Sequence, residues 1–178
     1  MKNKIILASS SPRRKELFDK YGIDYTVDFV ETEEVLDESL TLFKRLENIA
    51  LQKAKPLQIK YPNDTIVSAD TMVTFQDKML GKPKNREDAR RMLKMLSNHK
   101  QVVITAVCII KNHQIITFTD DTTVIFKELS NQEIEDYLDT DEWMGKAGAY
   151  AIQGIASKFV DKIDGDLENV IGMPMCKV

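Results

Sequence analysis

Apolar positions recur along this chain at two spacings. Ile5-Ile6-Leu7 is a short apolar run that predicts a strand. It opens into Ser9-Ser10-Ser11-Pro12, after which Leu17, Phe18 and Tyr21 follow at helical spacing and Gly22 marks a stop. Ser11 stands at the N-cap position and Pro12 at the first helical position, so Arg13, Arg14 and Lys15 fall in the first turn. Alternation over 25–30 predicts a second strand, which runs into the acidic segment Glu31-Thr32-Glu33-Glu34. From Leu42 to Lys60 the stripe Leu46, Ile49, Ala50, Ala54, Leu57 predicts one helix, with Lys53 on the same stripe and Pro56 expected to kink or end it.

A strand over 65–69 is expected to end at Asp70, with 72–75 continuing extended into a turn at 76–78 and a loop at Gly81-Lys82-Pro83. Asn85 then caps a helix whose buried face is Ala89, Met92, Leu93 and Leu96. Two long strands, 101–110 and 115–127, read as an antiparallel hairpin, and Ser130 to Glu133 reads as a capping box before Ile134, Tyr137 and Leu138. A glycine-punctuated segment, 145–154, precedes a last extended stretch over 159–163. Helices and strands alternate irregularly, without a repeat or an evident linker. The pattern predicts a mixed α/β (α+β) domain spanning 1–178, with helices flanking a long mixed sheet.

Composition narrows the function. With 178 residues, 43% of them hydrophobic, the chain can bury a real core, and a net charge of −3 gives no reason to expect nucleic acid or an anionic membrane as partner. The apolar run near the N-terminus is too short for a signal peptide or a span, so the expected location is cytoplasmic. Cys108 and Cys176, and His99 and His113, have neither metal-ligand spacing nor a disulfide framework. No GxxxxGK[ST] or GxGxxG is present.

Four polar clusters remain, each at the end of an apolar element. Three cations in the first turn of a helix oppose its dipole, at a cost of a few tenths of a kcal/mol each, roughly. Ser9 to Arg14 is therefore either a solvated helix start or an anion site in which hydroxyls, free N–H groups and two guanidinium forks converge on phosphate oxygens. Glu33 and Glu34 are ordinary in a polar loop, whereas Asp70 closing a buried strand needs a partner or a task. Carboxylates beside a phosphate site suggest Mg²⁺. Lys53 reads either as a snorkelling side chain or, with Lys82 and the two arginines, as part of the charge a triphosphate requires. In the segment from Lys146 to Gln153, the small residues around Gly148 mean tight packing or close approach to a ligand, and Gln153 could read the edge of a base.

At these residues the chain resembles the Maf nucleoside triphosphate pyrophosphatases. The likeness is carried by LASSSPRRKEL, ETEE, SADTMV, GKPKN, ITAV, KAGAYAIQG, KIDGD and IGMP, in that order between residues 5 and 174. The resemblance implies an elongated α/β fold with a cleft between two lobes and a homodimer. It also implies hydrolysis of a nucleoside triphosphate to monophosphate and pyrophosphate, with a divalent metal, Mg²⁺ or Mn²⁺. Arg13, Thr71 and Gln153 match the branch that acts on dTTP and UTP, where the 7-methyl-GTP branch carries Trp, Gln and Glu.

On this reading Ser9, Arg13, Arg14, Lys53 and Lys82 hold the triphosphate, Thr71, Lys146 and Gln153 complete substrate binding, and Glu33 and Asp70 hold the metal. The resemblance names Asp70 as proton acceptor, and modified pyrimidine nucleotides fall within the expected substrates. The alternative is a non-catalytic nucleotide-binding regulator of cell division and septum formation that uses the same residues without turnover.

Overall fold

A computed structural model describes residues 4–31 and 37–178. Its seven-stranded mixed sheet runs in the order β2 (Thr26–Val27), β1 (Ile5–Leu7), β3 (Thr65–Phe75), β5 (Lys100–Lys111), β6 (Gln114–Phe126), β7 (Val160–Asp164), with β4 (Lys78–Leu80) paired to β3 off that path. By contacts the chain forms two compact units, the first made of the chain up to Thr71 with 105–120 and 172–178, the second of 72–104 and 121–171.

The first unit is built on parallel pairing. β1 (Ile5–Leu7) lies between β2 (Thr26–Val27) and the start of β3 (Thr65–Phe75), with Leu7 opposite both Val27 and Val67. Parallel neighbours need crossovers, and the chain supplies α1 (Pro12–Lys20) and α2 (Leu42–Lys60). α1 ends as expected, with Gly22 in the left-handed region at φ 65°. β2 is shorter than the alternation over 25–30 predicts.

α2 keeps its predicted bounds but is not ended by Pro56. A proline inside a helix costs about 3 kcal/mol. Ala54 and Leu57 on either side of it are wholly buried, and burying one leucine side chain contributes about 1.5–3 kcal/mol. Packing therefore carries the helix through to Lys60, whose ammonium meets Asp28 at 2.7 Å.

In the second unit β4 (Lys78–Leu80) folds back on β3 through Gln76 and Asp77, both at positive φ, a strand the short sequence Lys-Met-Leu did not announce. α3 (Arg86–Leu96) starts where Asn85 accepts the Asp88 N–H at 2.8 Å and buries the predicted face. The strands β5 (Lys100–Lys111) and β6 (Gln114–Phe126) extend to a two-residue turn, Asn112-His113, with φ of 51° and 64°, tighter than the four-residue link expected.

α4 (Asn131–Leu138) carries the predicted capping box, worth about 1 kcal/mol or more, and turns Ile134, Tyr137 and Leu138 inward. Around Tyr137, the rings of Phe126, Tyr150 and Phe159 meet edge to face at 4.9–6.2 Å between centroids. β7 (Val160–Asp164) pairs antiparallel with β6, and the short helix α5 (Leu167–Ile171), not anticipated, follows. No helix among the described residues is long and apolar enough to cross a membrane.

Candidate active site

β1 delivers the loop Ala8 to Ser11 to the start of α1. Ser9 is buried, and its Oγ accepts the Ser11 N–H at 3.1 Å and the Arg14 Nη1 at 3.3 Å. Ser11 occupies the N-cap position, but its side chain makes no cap, and no acidic residue lies in the first turn. The start of α1 is left positive, as the sequence suggested.

Arg14 is the hub of this region. Its Nε donates to the Gly172 carbonyl at 2.8 Å and its Nη2 to Thr71 Oγ1 at 3.2 Å, beside the bond to Ser9. A guanidinium has five N–H donors, so two remain for another acceptor. Burial pulls its pKa down to about 10, with Asp70 opposing that shift and Arg13 adding to it. Arg14 therefore stays charged at neutral pH. Arg13 is also lowered, by burial against the pull of Glu16, and has no hydrogen-bond partner among the described residues. Thr71 Oγ1 in turn lies 2.8 Å from Thr105 Oγ1 on β5.

Asp70 sits within β3 rather than at its end, because the strand continues unbroken to Phe75. Alternation sends Ser68 and Asp70 to one face of that strand and Thr71 to the other. Ser68 Oγ donates to the Ala50 carbonyl at 2.6 Å, and Asp70 Oδ1 accepts Lys53 Nζ at 2.8 Å. Ala50 and Lys53 are one turn apart on α2, so a strand step of two residues matches a helix step of three. Lys53 is therefore no snorkelling stripe residue; its ammonium is aimed at the carboxylate.

The Oδ2 of Asp70 accepts no hydrogen bond from the described residues. Mg²⁺ is commonly held by one or two carboxylates together with phosphate oxygens and water, so one open carboxylate oxygen in the field of Arg14 fits such an ion. Among the described residues no three His, Cys, Asp or Glu side chains gather as a preformed metal cage. Glu33 and Glu34 lie outside the described residues.

The remaining candidates belong to the second unit. Lys82 is exposed in its loop with no partner among the described residues, and half-buried Lys146 opens the 3₁₀ turn Ala147–Ala149. These two loops are tied together by the Gly148 N–H, which donates to the Gly81 carbonyl at 3.2 Å. Gly148 has φ 71°, and a Cβ there would press on Val73 at 3.1 Å, so both backbone shape and space require glycine. Gln153 stands exposed in the turn before Gly154.

Thus the first unit holds two groups, Ser9, Arg14 and Thr71 in one hydrogen-bond network and Lys53 with Asp70 in another, with the Asp70 charge acting on Arg14 and Arg13 next to it in α1; the second unit joins the loops of Lys82 and Lys146. Sequence reasoning missed Thr105, Gly172 and Glu142. A threonine inside the apolar run Ile104 to Ile110 is a signal for the first and the IGMP block marks Gly172, though not the role of its carbonyl; nothing local marks the inward turn of Glu142.

The family model described as Maf-like protein matches residues 4–178. The dTTP/UTP pyrophosphatase of Pyrococcus horikoshii is 47% identical over 171 residues, which is 96% of this chain and 91% of that protein. The proteins of the same description from Bacillus velezensis and Geobacillus are 44% and 41% identical, over 99% and 97% of this chain and 94% and 93% of their own lengths. With its match running almost end to end, the chain belongs to the Maf family.

Proposed function

We propose that this protein hydrolyses dTTP and UTP, modified pyrimidine forms included, to the monophosphate and pyrophosphate. The observation that supports the reading most directly is Asp70, bonded to Lys53 on one oxygen, open on the other, and in the field of the Arg14 guanidinium. A carboxylate so placed can accept a proton from water while cations beside it hold phosphate oxygens.

In this mechanism Ser9, Arg13 and the two spare donors of Arg14 bind phosphate oxygens at the uncapped start of α1. Lys53 orients the Asp70 carboxylate. Asp70 takes the proton of a water that attacks the α-phosphorus; the bond from that phosphorus to its bridging oxygen breaks, and pyrophosphate leaves with both electrons of the bond. Lys82 and Lys146 are assigned to the leaving phosphates, Thr71 to substrate binding through Arg14, and Gln153 to the base. Asp70, with Glu33, would hold Mg²⁺ or Mn²⁺, which supplies charge neutralisation at the phosphates when bound. The same reading extends to a cytoplasmic homodimer with no nucleic-acid partner.

Pyrophosphate release from dTTP, UTP, CTP and GTP, measured with Mg²⁺ and with Mn²⁺, tests the proposal. The first two should react at least ~10-fold faster than the others, because an unpaired buried amide costs about 1–3 kcal/mol. Equal rates on all four would remove the base assignment, and tight binding of dTTP without release would favour the regulator.

A further inference from the structure

Glu142 lies in the polar run Thr140-Asp141-Glu142 after α4, where a carboxylate ordinarily faces water. Here it is turned inward. Its Oε2 accepts the Ile155 N–H at 2.9 Å, and its Oε1 accepts the Ala156 N–H at 3.4 Å and the Tyr137 hydroxyl at 3.1 Å. Ile155 and Ala156 open the 3₁₀ turn Ile155–Phe159, whose N-cap is Gly154, a residue with no side chain to cap it. The carboxylate of Glu142 takes that role from a distance in sequence. A Cβ on Gly154 would overlap both carboxylate oxygens, so any larger residue there would displace Glu142 from this position.

Behind Glu142 stands a buried tyrosine. Tyr137 is buried, with its ring edge to face on Phe159 at 5.1 Å, and both burial and the Glu142 charge push its phenol up, so the hydroxyl stays a donor. On the other side the turn is closed by Gly154 N–H donating to the Ala151 carbonyl at 3.1 Å. Gln153 sits inside this buttressed turn. Its side chain is exposed and has no partner among the described residues, so its aim depends on the backbone that Glu142 and Tyr137 hold.

We infer that Glu142 is the positioning residue for base choice: it fixes the turn that presents Gln153 and so sets which nucleobase is preferred, without taking part in phosphate chemistry. The inference rests on the pyrophosphatase reading above, in which Gln153 meets the base. A glutamine at position 142 cannot replace the carboxylate. Its carbonyl accepts one backbone N–H, but its NH₂ faces the other donor.

The test is Glu142→Gln, followed by kcat and KM for dTTP, UTP, CTP and GTP from pyrophosphate release, with hydrogen exchange at the Ile155 and Ala156 amides. The folded variant should lose about tenfold in the dTTP-to-CTP ratio of kcat/KM, mainly through KM for dTTP, and exchange both amides faster. A folded variant with an unchanged ratio, or one that loses rate equally on all four substrates, overturns the inference. Should the variant not fold, Tyr137→Phe, which removes only the hydroxyl donor, carries the test: a ratio lowered about twofold or more supports the inference and an unchanged one overturns it. A parent protein that releases no pyrophosphate from dTTP instead overturns the underlying reading, a result distinct from a selective parent with an equally selective Glu142→Gln.

Discussion

The two units differ in how most of their candidate site side chains are held. In the first, Ser9, Arg14, Thr71 and Thr105 are joined to one another, and Lys53 to Asp70, by hydrogen bonds of 2.8–3.3 Å. In the second, Lys82 and Gln153 stand exposed without partners among the described residues, held only through their backbones. The first arrangement loses its side-chain freedom on folding, the second on binding. A substitution in the first unit should therefore be felt by stability and catalysis together, and one at Lys82 by catalysis alone.

Asp70→Asn should produce the largest effect. Asparagine keeps the shape but cannot take a proton from water, so turnover should fall by about 10²–10⁴-fold while dTTP affinity stays within about tenfold, read by calorimetry beside a steady-state assay. Near-parental turnover would show that the carboxylate is only the structural partner of Lys53. Arg14→Lys comes next. It keeps a positive charge but cannot span Gly172, Ser9 and Thr71 together, so urea unfolding should show a loss of about 2 kcal/mol along with weaker kcat/KM. A variant as stable as the parent would erase the contrast between the units.

Lys82→Ala sharpens the contrast from the other side. Its kcat/KM should fall by about 1.5 kcal/mol, roughly tenfold, with an unchanged melting temperature. A drop in melting temperature would mean the loop cation has a structural role after all. The smallest effect is expected from pyrophosphate itself. At ten times its Kd it should stabilise the parent by about 1.4 kcal/mol, and thermal unfolding at the same concentration should show less stabilisation in Arg13→Ala. Equal stabilisation of both would place the anion elsewhere.

What could be read from the chain was whatever its own neighbours decide. α2 was found to its end residues, Asn85 and Ser130 were identified as caps, and the hairpin β5–β6 was recognised, because a periodic stripe or a cap is a local event. Pro56 does not end α2, because the burial of Ala54 and Leu57 outweighs its low helix propensity, and β4 is not legible because three residues carry no period. For the site, the residue types were legible and their roles only partly so. Lys53 and Asp70 were noticed separately, and their pairing appears only when β3 is laid against α2. Arg14 reads in the sequence as a solvated arginine or a fork aimed at phosphate, yet it also donates to the Gly172 carbonyl 158 residues away in the chain. Contacts of that separation leave no mark on the spacing of either partner.

The bond between Arg14 and Gly172 also sets an order of events during translation. The first unit takes its helices and its parallel strands from the chain up to Thr71, but it is complete only with 105–120 and 172–178. As the ribosome releases the chain from its N-terminus, the serine loop and α1 emerge early, with a buried-to-be guanidinium and no carbonyl to receive its Nε proton. The nascent protein is thus kept from completing the Arg14 hydrogen-bond network until Gly172 has been made, and a product cut short before Gly172 carries an arginine that has lost its anchor.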